Sequence, residues 1–142
     1  MHIRRMESTD AAAVAELSGQ LGYPATELEI LQRIQKLSEN VEHAAFVAED
    51  ENERVVGWLH AFVKKGISFN PYIEVTSLVI DEKCRGQGMG QKLLSKAEKW
   101  AVSRGYATVA ISSQTKREDA HRFYVSAGYE QHKTSHKFVK RF

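Results

Sequence analysis

The chain has almost no cysteine, little proline and no extended apolar stretch, and each shortage narrows what it can be. Cys84 is its one cysteine, so an intramolecular disulfide and a CxxC metal knuckle are both excluded. No segment approaches the roughly 18 apolar residues of a membrane-crossing helix. The opening MHIRRMESTD also lacks the apolar run of a signal peptide. A cytoplasmic protein with no membrane partner is the expectation. Net charge is equally scarce. Lys and Arg number 20 against 18 Asp and Glu, and the resulting +2 is scattered along the chain, which gives no footprint for nucleic acid. Among six histidines, His121, His132 and His136 form neither HExxH nor another ligand spacing, so no metal is expected.

What is present is an ordinary globular composition, 42% hydrophobic and 27% charged in 142 residues. That is enough for one domain spanning residues 1–142 with a core of its own. Alternation predicts a first strand over His2–Glu7. Ser8, Thr9 or Asp10 can cap a helix over Ala11–Leu21. After GYPAT, Thr26 and Glu29 form a capping box for a second helix, with an apolar stripe of Leu28, Leu31, Ile34 and Leu37. A hairpin follows, with strands over Ala44–Glu49 and Arg54–Lys64, and then a strand over Tyr72–Asp81. Met89, Leu93, Leu94, Ala97, Trp100 and Ala101 recur at helical spacing until Arg104-Gly105 ends the helix. TVAISS reads as a buried strand, REDAHRFYVSAG as a short helix ended by Gly128, and YEQHKTSHKFVK as a final strand pair.

The segment CRGQGMG, Cys84 to Gly90, sets glycines in alternate positions between a strand and a helix. Such a junction offers unpaired backbone N–H groups at the positive end of the helix dipole, which bind phosphate without a charged side chain. The dinucleotide pattern G-x-G-x-x-G fails, because Gln91 stands where its third glycine belongs. The triphosphate pattern fails as well, since neither Gly86 nor Gly90 is followed by lysine. The match is to [RQ]-x-x-G-x-[GA], at Arg85, Gly88 and Gly90, directly after SLVID. A second segment, DAHRFYVSAGYE from Asp119 to Glu130, fits A-x-x-F-Y-x-x-x-G-[FY]. Together they resemble the GNAT superfamily of acyl-CoA-dependent N-acetyltransferases. The C-terminal stretch looks like the branch of aminoalkylphosphonate and aminoglycoside acetyltransferases.

The resemblance implies an α+β domain layered α/β/α, with a mixed, mostly antiparallel sheet of 6–7 strands flanked by about four helices. It implies acetyl-CoA as co-substrate. The amides of Arg85, Gly86, Gln87, Gly88, Met89 and Gly90 would then curl around the pyrophosphate, and main-chain groups of Leu78, Val79 and Ile80 would hold the pantetheine arm and thioester. The asparagine that many relatives carry is missing from SSQTKRED, which leaves its contact to Gln114, Lys116 or Asp119. Lys92, Lys116 and Arg117 are candidates for the 3′-phosphate. Tyr124 matches the family tyrosine whose hydroxyl lies near the sulfur, and a phenol protonated at neutral pH can donate to a departing thiolate.

The acceptor amine needs a proton removed before it can attack, because an alkyl ammonium titrates near 10.4. Glu74 is the candidate base. It stands inside YIEVTSLVI, where alternation puts it with Thr76 and Leu78, and burial there disfavours a carboxylate's charged form. Its spacing from Arg85 resembles the general-base glutamate of the histone acetyltransferase branch. Cys84 precedes the loop amides and has no histidine near it in sequence, so direct attack in a ternary complex is preferred to an acetyl-cysteine route. Trp58 and His60 share a strand face, and core packing is the default role for Trp58. A small primary amine is the expected acceptor, to which Lys64 and Lys65 would add a preference for acidic groups. Protein lysine or N-terminal acetylation and a non-catalytic acyl-CoA-binding module are the alternatives. Relatives are often dimers, which leaves a homodimer open.

Overall fold

Five strands organise the first of two units in the computed structural model, which describes residues 1–113 and 117–142. This unit, Met1–Ile111, holds β1 (His2–Arg5), β2 (His43–Glu49), β3 (Val55–Lys64), β4 (Tyr72–Ile80) and β5 (Val109–Ile111), in that spatial order. The first four are antiparallel neighbours and β5 runs parallel to β4. Helices α1 (Ala11–Gln20) and α2 (Glu27–Ser38) cover one face, around Ala11, Val14 and Ile30, with Ile34 and Trp58 against them. The other face takes α3 (Met89–Ser103), whose Leu93, Leu94 and Ala97 are fully buried. The α/β/α layering is therefore present within this unit.

Local sequence explains the boundaries. The Thr26–Glu29 box forms in full, the Thr26 hydroxyl accepting from the Glu29 amide at 3.1 Å and the Glu29 carboxylate from the Thr26 amide at 3.0 Å. In α2, Ile30 is the buried anchor while Leu28 stays exposed, so the expected stripe is rotated at its start. The N-terminus is fixed by Arg4, whose guanidinium grips buried Asp10 through two bonds of 2.8 and 2.9 Å and also meets Glu49. β1 stops at Arg5 because a 3₁₀ turn over Ser8–Asp10 leads directly into α1.

The second unit, Ser112–Phe142, contains α4 (Glu118–Ser126). Gly128, at φ 95°, ends it, and the Tyr129 amide returns to the Tyr124 carbonyl at 3.0 Å. The expected final strand pair is not formed, and the sheet has five strands rather than 6–7. The physical reason lies in YEQHKTSHKFVK itself. Its apolar residues Phe138 and Val139 are adjacent, so they cannot share one face, and both are exposed; no apolar face sets a register.

Candidate functional site

The glycine loop adopts the backbone its composition suggests. Gly86 and Gly88 sit at φ 80° and 82°, and a Cβ at either would meet nothing, so conformation rather than crowding selects glycine there. Before the loop, the Cys84 amide bonds to the Asp81 carbonyl at 2.8 Å and the Lys83 amide to the Asp81 side chain at 3.1 Å. From Arg85 to Gly90 the amides have no hydrogen-bond acceptor among the described residues. The run passes through Gly88, the N-cap of α3, into the first residues of that helix, whose dipole adds to their field. A run of bare donors at a helix start fits a pyrophosphate group.

Beside the loop, β4 offers an open edge. β5 pairs only with Ile73, Glu74 and Val75, so Thr76–Ile80 has no strand partner on that side among the described residues. The Asp81 amide points to Val56 of β3, and alternation then directs the backbone groups of Leu78 and Ile80 to the open side, while Val79 faces Trp58 in the ladder. The Arg85 guanidinium reaches the Ile80 carbonyl at 3.4 Å.

A β-bulge corrects the expected placement of Glu74. His60 pairs with Ser77 and Ala61 with Val75, so Thr76 is an extra residue and the alternation inverts beyond it. Glu74, opposite Phe62, consequently shares its face with Ser77 and Val79, opposite His60 and Trp58; Leu78 lies on the α3 face with Leu59. Glu74 is buried, at 8% exposure.

That face floors a cavity of about 820 Å3 closed by α1 and α2, with His43, His60, Trp58 and Ser77 in its lining. Glu74 is on the same face but outside the lining. His60 is pushed down to about 4 by desolvation first and by electrostatic repulsion of its protonated form from neighbouring His43 second, so it is neutral at physiological pH. The Trp58 Nε1–H is buried without a hydrogen-bond partner among the described residues. Sequence reading noticed the shared face of Trp58 and His60 but not His43, which pairing with β3 brings beside them.

In the second unit, Tyr124 packs against Phe123 and edge-on to Tyr129. Desolvation raises its pKa, against the lowering effect of Arg117, so the phenol is protonated at neutral pH. Asp119 is exposed and paired with Arg122 one turn on. Gln114 and Lys116 lie outside the described residues. Lys65 is taken by Glu42 at 2.6 Å, which removes it as a free attraction for an acidic acceptor. Among the described residues, no group of three His, Cys, Asp or Glu side chains is placed for a metal, and no helix is long and apolar enough to cross a membrane.

The loop of bare amides follows the open edge of β4, and Ser77 of that edge lines the cavity. Comparison with known proteins specifies the class: the model of the Acetyltransferase (GNAT) family matches residues 12–129. The chain belongs to that family and is an acetyl-CoA-dependent N-acetyltransferase. An uncharacterized N-acetyltransferase of Bacillus subtilis (strain 168), YhdJ, is 34% identical over 101 residues, covering 70% of this chain and 71% of the relative. An aminoalkylphosphonate N-acetyltransferase of Salmonella typhimurium is 37% identical over 81 residues, or 56% of this chain and 53% of that protein. The fold is shared with the aminoglycoside 6'-N-acetyltransferase AAC(6')-Ih of Acinetobacter baumannii, at a TM-score of 0.87, 16% identity and coverage of 99% and 98%. It is shared equally with AAC(6')-Iy in complex with the bisubstrate analog CoA-S-monomethyl-acetylneamine, at 0.86, 17%, 99% and 98%.

Proposed function

We propose that residues 1–142 act as one domain that transfers an acetyl group from acetyl-CoA to the primary amine of a small acceptor, by direct attack in a ternary complex. The observation that carries this reading is the unpartnered run of amides from Arg85 to Gly90 beside the open edge of β4. The amides of Arg85, Gly86, Gln87, Gly88, Met89 and Gly90 hold the pyrophosphate, and the backbone of Leu78 and Ile80, with Val79 between them, lines the pantetheine arm. The bound carrier supplies an activated thioester; the protein supplies position, charge and protons. A backbone N–H of the open edge stabilises the charge that develops on the carbonyl oxygen. Glu74 draws the ammonium and takes part in removing its proton, directly or through water. Tyr124 donates a proton to the thiolate, and Asp119 contributes to carrier binding; both assignments rest on their places in the motif.

The acceptor enters the cavity over β2 and β3. Charged groups in its lining are Arg5, Arg33, Lys36 and Arg104 against Glu39. That surplus of cations favours an amine that also carries an anionic group, such as the aminoalkylphosphonate named for the Salmonella relative. The test is CoA release from acetyl-CoA with a panel of aminoalkylphosphonates, amino acids, aminoglycosides, polyamines and lysine peptides. Fast turnover of an anionic small amine, lost mainly in kcat in Glu74→Gln and Tyr124→Phe, is expected. Turnover confined to lysine peptides would replace this reading with protein acetylation.

A further inference from the structure

The cavity floor contains a chain of hydrogen bonds that the transfer reaction, as described, leaves unused. His43 Nδ1 lies 2.9 Å from His60 Nε2, and His60 Nδ1 lies 3.1 Å from Thr76 Oγ1, the extra residue of the β4 bulge. The His43 ring lies nearly parallel to His60, centroids 5.2 Å apart, and to Phe62, centroids 5.5 Å apart. The protons in this chain can be counted. The Thr76 hydroxyl lies 3.4 Å from the His60 carbonyl and 3.1 Å from His60 Nδ1; in the arrangement where it donates to the carbonyl, its oxygen is the acceptor for His60 Nδ1–H. A neutral imidazole has one N–H, so His60 Nε2 carries a lone pair and accepts from His43 Nδ1–H. His43 Nε2 is left with its own lone pair and no partner among the described residues.

We propose that His43 Nε2 receives the proton released by the acceptor amine, and that His60 and Thr76 are positioning residues that hold it in the receptive tautomer. The proposal rests on the transferase reading and deepens it. Glu74 lies across Phe62 from His43, about two strand spacings or ~10 Å, and outside the cavity lining, whereas His43 is within it. Glu74 thus draws the ammonium while the proton comes to rest on the imidazole. In the step, one N–H bond of the ammonium breaks and its electron pair stays on nitrogen for attack on the thioester. A new N–H bond forms at His43 Nε2, and the imidazolium's Nδ1–H to neutral His60 becomes a charge-assisted bond. Loss of the Nε2 proton to water restores the site. The remaining charges near this chain are the cavity-lining Arg5, Arg33, Lys36, Glu39 and Arg104, and Glu42, which is paired with Lys65; none bonds either ring.

The experiment is steady-state acetylation of the best amine from the panel by the full chain, as wild type, His43→Ala, Thr76→Val, Thr76→Ser and Glu74→Gln. His43→Ala should lose about 10²-fold in kcat, the size of a lost proton transfer, with KM for acetyl-CoA unchanged. Added imidazole should restore its rate. Thr76→Val should lower kcat and Thr76→Ser should retain it. Heteronuclear NMR of the wild type should show both imidazoles protonated at Nδ1 and bare at Nε2. A His43→Ala enzyme that keeps its kcat, or loses it without rescue by imidazole, overturns the proposal and leaves Glu74 as the base. So does the reverse tautomer pattern. A wild type that acetylates no amine overturns the transferase reading beneath it, and the proposal with it.

Discussion

Acid should loosen this protein through His60 before it reaches the carboxylates. His60 is held at about 4 instead of 6.5, because its ring is withdrawn from water and, secondarily, because His43 stands beside it. Between those two values the unfolded chain binds more protons than the folded one. The neutral ring's contribution is therefore complete above about 6.5 and is lost as pH falls toward 4. At about 1.36 kcal/mol per pH unit, the interval amounts to about 3 kcal/mol. That is a large part of the roughly 5–15 kcal/mol that keeps a domain folded. The assay is urea unfolding followed by tryptophan fluorescence at a series of pH values across this window, on wild type, His60→Gln and His60→Phe. Both variants lack the titrating ring, so their stability should fall less steeply than the wild type's, by about 3 kcal/mol over the whole window. Parallel curves for wild type and variants would refute the burial of a neutral His60.

Asp10 should act in a lower window. Its burial works against the charge, but the Arg4 fork and the Glu7 amide outweigh it and hold the carboxyl below its ordinary value. Its stabilisation is present above the unfolded value near 3.9 and is lost as pH falls through the folded one, so Asp10→Asn should flatten only that acid limb. Gly88→Ala forces a side chain into the left-handed region, which should cost about 1–2 kcal/mol and weaken acetyl-CoA binding, read by thermal melting with and without ligand. Gly57→Ala places a Cβ 2.7 Å from Ile80 Cδ1 and 3.0 Å from the Val79 carbonyl, so the Ile80 side chain must move and the β4 backbone at Val79 must give by a few tenths of an ångström. A loss of about 1–3 kcal/mol is expected from such overpacking, with a raised KM for acetyl-CoA.

The strands and the three helices of the first unit and the glycine loop were legible in the sequence, because each carries a local signal: alternation, a capping box, or glycines where φ must be positive. The bulge at Thr76 was not. It is set by how β3 and β4 pair over their whole length, and nothing in YIEVTSLVI marks the extra residue. Because side chains alternate, that one residue moved Leu78 away from Glu74 and put Ser77 beside His60. His43 was missed for a related reason. It stands at the start of β2, 17 residues from His60, and only the register Ala45–His60 brings their rings into stacking distance. The tail misled in the opposite way, since YEQHKTSHKFVK has strand-like residues without an apolar face to bury.

Everything in the account depends on acetyl-CoA lying along the loop from Arg85 to Gly90, and calorimetric titration of acetyl-CoA into wild type and Gly88→Ala tests that most directly. One site per chain is predicted, with affinity in the variant lower by about tenfold, or 1.4 kcal/mol. No binding by the wild type, or equal binding by the variant, would contradict it.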